Sequence, residues 1–204
     1  MKTFQLLISS FIIFFLGFSS LAQQSILEKF SAEHISGKVF LSWTVKSGQT
    51  CNGIRIYRSE DSLNFIEIGD IQGVCGNLGY SVDYTFQDND PTKNKVNYYR
   101  LDLGGIELTY SIAVEVIDVG QNDYYLKANP LVNQTKLYFR NPSQQTTVLT
   151  VISQNGKIIE TKETTTDHFT LNSNDYLSGF YFFTLSNPNA DKNISGKFMV
   201  SKID

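Results

Sequence analysis

Residues that support metal or redox chemistry are scarce in this chain of 204 residues. It contains two cysteines, two histidines and two methionines, and two cysteines are too few for a disulfide-rich scaffold. Neither sign of charge dominates, because 17 basic residues are balanced by 20 acidic ones. This balance does not indicate binding to an anionic membrane, and we expect no nucleic-acid partner.

Long hydrophobic runs are also missing, with one exception at the amino terminus. The apolar run at 4–18 follows Lys2 and precedes the small residues Ser20 and Ala22, which is typical of a secretory signal peptide. The run is shorter than the ~20 residues that a membrane span needs, so we expect no integral membrane span. We predict cleavage between Ala22 and Gln23. An uncleaved membrane anchor is the alternative.

Helical periodicity is absent from the rest of the chain, which alternates apolar and polar residues in short runs between turn residues. In the run 38–45, for example, Val39, Leu41, Trp43 and Val45 share one face. These runs predict an all-β protein of two tandem antiparallel β-sandwiches of the immunoglobulin or fibronectin III type. We place the signal peptide at 1–22, the sandwiches at 23–118 and 125–204, and a polar linker at 119–124.

The two cysteines, Cys51 and Cys75, flank a predicted hairpin that turns at 61–64. Residues paired across this hairpin should sum to 125 or 126, and 51 and 75 sum to 126. In an exported chain this register predicts a disulfide, which stabilises a loop of this size by roughly 3 kcal/mol. The alternative is a redox pair, but neither cysteine has a CxxC partner or a histidine nearby.

Several segments of the first sandwich occur in an order that is found in one family. They read "GIRIYRSEDSLNFIEIGDIQG", "YTFQDNDP" and "NYYRLDLGGIELTYSIAVEV". Together they resemble the fibronectin type III-like module of secreted Bacteroidetes proteins. We expect core positions at Trp43, Tyr99 and Leu101, and outward positions at Tyr57, Tyr98 and Arg100. An outward aromatic and arginine patch indicates a protein or glycan ligand; simple cover of the sheet is the alternative.

The second sandwich carries several short motifs near the end of the chain. They occur in the same order as in another family. They are Asn129 and Pro130, Gly156 and Lys157, Leu177, Gly179 and Tyr181, and finally Lys197 and Lys202. These motifs resemble the type A C-terminal sorting domain of the type IX secretion system. The resemblance implies an outer-membrane translocon and a sortase as partners, and attachment of the cargo to lipopolysaccharide. It also implies delivery through the periplasm to the cell surface or the medium.

Two local features of this sandwich give sharper expectations. The pair Asn155 and Gly156 predicts a type I′ hairpin turn. The strand "GFYFFTLS" at 179–186 is apolar on both faces, which a strand buried on one side would not need. An alternative to the cleaved sorting domain is therefore a surface adhesin that retains this sandwich and covers the strand with a partner.

Catalytic groups do not converge in the sequence. His34 and His168 fall in different sandwiches. Asp88 and Asp90 come just before Pro91, which is typical of a turn and favours a turn over a calcium site. We therefore expect no catalytic residue, metal or cofactor and a non-enzymatic protein. An enzyme with an unrecognised site is the alternative.

One modification motif remains, at the tip of the predicted hairpin. Asp61-Ser62-Leu63 resembles the O-glycosylation motif of exported Bacteroidetes proteins, which implies modification at Ser62; a bare turn is the alternative.

Overall fold

The computed structural model of the protein describes residues 25–46, 52–73, 79–188 and 192–202. β-Strands dominate these residues, and the helical elements among them are single 3-10 turns at Gly120–Asn122 and Ser173–Asp175. No helix in the described ranges has the length and apolar character needed to cross a membrane. The predicted cleavage site at Ala22 and Gln23 lies outside the described residues and stays a prediction.

Eight strands build an amino-terminal sandwich. They are β1 (Leu27–Ile35), β2 (Lys38–Val45), β3 (Ile54–Ser59), β4 (Ile66–Ile71), β5 (Val82–Asp88), β6 (Lys95–Leu103), β7 (Glu107–Leu108) and β8 (Ile112–Val116). One sheet has the order β1-β2-β5, and the other has the order β4-β3-β6, with β7 and β8 both paired to β6. All these pairs are antiparallel, so the predicted sandwich is confirmed.

Alternating side chains from the two sheets form the core of this sandwich. Val39, Leu41, Trp43 and Val45 are all buried, as the period of two on β2 predicts. The buried residues Ile54, Ile56, Tyr99 and Leu101 meet them from β3 and β6 of the other sheet. The core positions predicted at Trp43, Tyr99 and Leu101 are therefore confirmed.

A polar contact joins the two sheets at one end of this core. The carboxylate Oδ2 of Asp88, on β5, accepts hydrogen bonds from Arg58 Nη1 on β3 at 2.8 Å and from Tyr99 Oη on β6 at 2.9 Å. Arg58 Nη1 also donates to the Asp90 carbonyl at 2.6 Å. Burial, together with the hydrogen bond to Asp88, raises the pKa of Tyr99 well above its usual range. The Asp88 carboxylate of one sheet is thus bound by two donors from the other sheet.

The hairpin of β3 and β4 has one of the two registers expected from the sequence. Ile54 pairs with Ile71, which sums to 125, and a bulge between Ile56 and Tyr57 shifts the pairs beyond it to 124. Cys51 and Cys75 lie outside the described residues, so the disulfide stays a prediction.

Seven more strands build a carboxy-terminal sandwich. They are β9 (Tyr124–Leu126), β10 (Gln134–Phe139), β11 (Thr147–Ser153), β12 (Ile158–Thr164), β13 (His168–Asn172), β14 (Gly179–Ser186) and β15 (Ile194–Val200). The sheets have the orders β13-β10-β9 and β12-β11-β14-β15. The short strands β7 and β9 were not predicted, because two and three residues are too few to show alternation. A second core, separate from the first, lies between the sheets and includes Leu149, Val151, Phe183 and Phe198.

Polar contacts hold the chain between the last strand of the first sandwich and β9. Asp118 N donates to Asn94 Oδ1 at 2.9 Å, and Asn94 Nδ2 donates to the Asp118 carbonyl at 3.1 Å. The Asp118 carboxylate pairs with Lys93 at 2.7 Å, and this hydrogen bond lowers the pKa of Asp118. Farther along, Lys127 pairs with Glu115 at 2.6 Å. The connection is therefore tethered on both sides of the turn at 120–122.

We predict that Tyr99→Phe destabilises the amino-terminal sandwich by about 1.5–3 kcal/mol, because a buried charged acceptor loses one donor. Tyr98→Phe is the matched control, since the neighbouring Tyr98 is only half-buried on the opposite face. Urea unfolding followed by the fluorescence of Trp43, the only tryptophan, reports on this sandwich. Equal midpoints for the two variants would contradict the role of the Asp88 contact.

Candidate functional site

The nine residues of the predicted sorting motifs all lie in the carboxy-terminal sandwich, and the structure brings several of them together. Leu131 N donates to the Met199 carbonyl at 2.7 Å, and Ser201 N donates to the Leu131 carbonyl at 3.0 Å. The side chain of Asn129 accepts from Met199 N at 2.9 Å. The proline segment, residues 129–131, therefore lies along the outer edge of β15 and hydrogen-bonds to it, 70 residues away in sequence.

Leu131 explains why this segment binds there. Its side chain is fully buried in the second core, while Asn129 and Pro130 are exposed. Sequence reasoning singled out Asn129 and Pro130 and missed Leu131. An apolar residue directly after the proline was the signal that could have identified it.

Tyr181 holds the loop before β14 in place through its hydroxyl group. Tyr181 Oη donates to the Leu177 carbonyl at 2.9 Å and accepts from Leu177 N at 3.0 Å. The Tyr181 ring packs in the core, stacked on Phe198 with ring centroids 5.5 Å apart. The motif tyrosine thus satisfies both main-chain groups of the motif leucine. The Leu177 side chain itself is 78% exposed and contributes nothing to the core.

The two motif glycines have different local roles. Gly156, with φ +80, follows a turn closed by its own N–H donating to the Ser153 carbonyl at 3.0 Å. Asn155 does not have a positive φ, so the predicted type I′ turn is wrong. A type I turn followed by a left-handed glycine fits instead, because the hairpin has one more residue in its loop. Gly179 has φ +146, a conformation that side-chain-bearing residues rarely adopt.

The three motif lysines, Lys157, Lys197 and Lys202, are exposed and have no ion-pair partner within the described part of the chain. In contrast, Lys162 pairs with Glu160 at 2.7 Å. The free lysines are therefore available to a ligand outside the chain.

The aromatic strand β14 is buried on one face only. Tyr181, Phe183 and Leu185 point into the core, whereas Phe180 and Phe182 on the other face are 48% and 47% exposed. Both faces of β14 are apolar, but β14 lies in one layer of a two-layer sandwich, and no further layer of the described residues covers its outer face.

The predicted aromatic and arginine patch lies on the outer face of the β4-β3-β6 sheet. Tyr57 is opposite Arg100, and Ser59 is opposite Tyr98 in the same pair of strands. The Arg100 guanidinium lies 3.9 Å from the ring centroid of Phe65 and 5.8 Å from that of Tyr57. Its Nε is buried and has no hydrogen-bond partner among the residues described. Arg100 is thus held by cation–π contacts.

Phe65 was missed as a member of this patch, because the sequence assigns it to the inner face of the hairpin. It comes just before β4, where the turn rather than strand alternation sets its direction. We define the Arg100 patch as Tyr57, Phe65, Tyr98 and Arg100.

Ser62 lies at the exposed tip of the β3–β4 hairpin with φ +63. Asp61 accepts hydrogen bonds from the N–H groups of Leu63 and Asn64 at 2.9 and 2.7 Å. These bonds, above all those with Asn64, lower the pKa of Asp61 well below its usual range. The tip is therefore a well-ordered turn that presents the Ser62 side chain; its O-glycosylation stays a prediction.

The titratable residues considered as candidates for catalysis make contacts with nearby groups of their own sandwich. His34 Nε2 accepts from Gly37 N at 3.1 Å, and burial lowers its pKa. His168 Nδ1 lies 2.8 Å from the carboxylate of its neighbour Asp167, in the other sandwich. Asp88 is bound by Arg58 and Tyr99, as described above. In the described ranges no group of three or more His, Cys, Asp and Glu side chains has the geometry of a metal site.

We predict that Gly179→Ala destabilises the carboxy-terminal sandwich by about 1–3 kcal/mol through backbone strain alone, because an added Cβ would meet nothing within 4 Å. Gly156→Asn is the matched control: it has equal free space, and asparagine tolerates the left-handed conformation. The circular-dichroism transition that is not accompanied by a change in Trp43 fluorescence measures this sandwich. A larger loss for Gly156→Asn would contradict the assignment.

Comparison with known proteins gives one family and several structural neighbours. Residues 128–201 match the family model described as the secretion system C-terminal sorting domain. No curated protein matches the chain.

Three solved structures are similar at low TM-scores. A two-domain fibronectin type III segment of chicken tenascin has a TM-score of 0.34 and 12% identity, over 85% of this chain and 98% of that one. The BSP domain of a biofilm-associated protein has a TM-score of 0.31 and 10% identity, over 90% of this chain and 53% of that one. The human OSCAR ligand-binding domain has a TM-score of 0.28 and 10% identity, over 84% of this chain and 94% of that one. Scores this low carry no argument about detail or function.

The matched range begins at the proline segment and ends just after β15, the last strand, to which this segment binds, so it contains all the motif residues except Lys202. The match of residues 128–201 to the C-terminal sorting domain of the type IX secretion system indicates that the protein is secreted to the cell surface or the medium.

Proposed function

We propose that the protein is a non-enzymatic binding protein, in which the amino-terminal sandwich acts outside the cell and the carboxy-terminal sandwich is a removable export signal. The observation that carries the proposal is the sorting-domain match over 128–201, which leaves the amino-terminal sandwich as the cargo. After export, an outer-membrane sortase removes the signal and attaches the cargo to lipopolysaccharide.

The geometry of the connection supports removal at this place. Residues 120–122 form a single exposed 3-10 turn without a side-chain cap. Main chain that is exposed between two folded units is the preferred site of proteolysis. The contacts of Asp118 on one side and Asp123 with Lys192, at 2.8 Å, on the other leave this turn as the accessible segment.

The Arg100 patch supports a binding role for the cargo. Arginine and aromatic residues are enriched among the residues that dominate binding energy, and Arg100 is already held in one orientation by Phe65. A preorganised patch loses little side-chain entropy on binding. A protein or glycan surface with carboxylate or hydroxyl groups fits the free N–H groups of the guanidinium.

A surface adhesin that retains the carboxy-terminal sandwich is the second candidate. The half-exposed Phe180 and Phe182 favour it, because a partner could cover them in the mature protein. An enzyme with an unrecognised site has no comparable supporting observation.

The intact mass of the protein recovered outside the cell distinguishes the first two candidates. We expect a product that begins at Gln23 and ends between about Asp118 and Tyr125, with any attached lipopolysaccharide as added mass. In a chain that ends at residue 123, the cargo should stay in the periplasm, which controls for passive release. An exported product that runs to Asp204 would contradict the removal and support the adhesin.

The binding role is tested on a panel of immobilised bacterial polysaccharides and extracellular matrix proteins. We expect Arg100→Ala to lower affinity for the bound probe about tenfold or more, the loss that a central arginine contributes. Arg55→Ala is the matched control, because Arg55 lies on the same outer face but between Asp70 and Asp102. Equal losses of affinity in the two variants would show that only the positive charge matters for binding. Absence of binding by the natural chain would contradict the binding role.

A further inference from the structure

The outer face of the β12-β11-β14-β15 sheet carries a continuous apolar row at one end. Cross-strand register places Ile158 opposite Ile152, Ile152 opposite Phe182, and Phe182 opposite Lys197. In the adjacent row Phe180 is opposite Met199. Directly opposed side chains on one face are in contact range, so these residues form one surface across four strands.

The apolar side chains of this surface are largely exposed. Ile158 is 60% exposed, and the loop residue Leu177, beside the start of β14, is 78% exposed. We define the apolar end as Leu177, Phe180, Phe182, Ile158 and Met199. Contiguous exposed apolar surface of this kind marks an interaction site rather than ordinary scatter.

Positive charge surrounds the apolar end. Lys197 lies within its row, Lys157 precedes Ile158 in the hairpin, and the main-chain N–H of Lys202 donates to Ser178 Oγ next to Leu177. The acidic residue of the same outer face, Glu163, is opposite Val148 at the other end of the sheet. The net charge of the whole chain therefore hides a local cationic end.

Two other occupants fit this surface poorly. A strand from a protein partner cannot extend the sheet here, because the proline segment already occupies the edge of β15 through Leu131. A second copy of the chain related by a two-fold axis would bring the lysines of both copies together. The charge of the surface instead complements an anionic one.

We propose that the apolar end docks the carboxy-terminal sandwich onto an anionic phospholipid surface. The side chains of Phe180, Phe182 and Leu177 enter the boundary between headgroups and acyl chains, and the lysine ammonium groups contact lipid phosphates. This inference goes beyond the proposed function, because it concerns membrane contact by the sorting domain and requires neither its removal nor a ligand of the cargo.

Co-sedimentation with vesicles tests the proposal, using the chain from Gln23 to Asp204, which contains every described residue and lacks the apolar leader. The vesicles are phosphatidylcholine alone or with about one third phosphatidylglycerol; each lysine near an anionic surface is worth about fivefold in partitioning. We expect binding to the anionic vesicles and a loss of roughly 25-fold in Lys197→Gln/Lys202→Gln. Lys29→Gln/Lys38→Gln, at exposed positions of the other sandwich, should change it less than about twofold.

The apolar contribution is tested by Phe180→Ser/Phe182→Ser, which should lower partitioning about tenfold or more. Phe40→Ser is its control, because Phe40 is 38% exposed in the first sandwich. Circular dichroism verifies that the variants of the carboxy-terminal sandwich are folded, and Trp43 fluorescence does so for Phe40→Ser. If the phenylalanine pair does not fold, the lysine pair still tests the proposal.

Three results would overturn the proposal. The first is no vesicle binding by the natural chain. The second is equal binding to neutral and anionic vesicles. The third is self-association that the phenylalanine variants abolish without any effect of vesicles, which would make a second copy the occupant.

Discussion

The contact between Leu131 and β15 is the constraint on which the carboxy-terminal sandwich depends. Leu131 is fully buried, and its main-chain N–H and carbonyl bond to both sides of Val200. The unit thus joins its proline segment to its last strand and can be complete only when β15 is present. The same contact closes a sheet edge that would otherwise invite pairing.

At one end of the amino-terminal sandwich, a polar contact rather than apolar packing joins the two sheets. Asp88 of one sheet receives two donors from the other sheet, so the corner before Pro91 is held while the outer face of β3 and β6 remains free for other use. On that face Arg100 is oriented by Phe65 and Tyr57 without using its hydrogen-bonding capacity fully. A rigid scaffold and a preorganised surface are the physical requirements of the binding role that we propose for this sandwich.

Strand β14 combines two roles on opposite faces. Tyr181 and Phe183 hold the core, and the hydroxyl of Tyr181 positions Leu177 outside it. Phe180 and Phe182 face outward beside lysines that have no ion-pair partner among the described residues, and no described layer covers them. The motifs of the sorting domain therefore serve both its folding and an exposed surface.

The sequence by itself determined the all-β class, the strands other than β7 and β9, the core of β2 and the sorting motifs, because alternation and motif order are local properties of the chain. It misjudged the turn at Asn155, since a one-residue difference in loop length changes the turn type. Only the tertiary structure decided that Leu131 closes the edge of β15, that Phe65 holds Arg100, and that Phe180 and Phe182 stay exposed. These features depend on which segments meet across long distances in sequence, and no local pattern encodes that meeting.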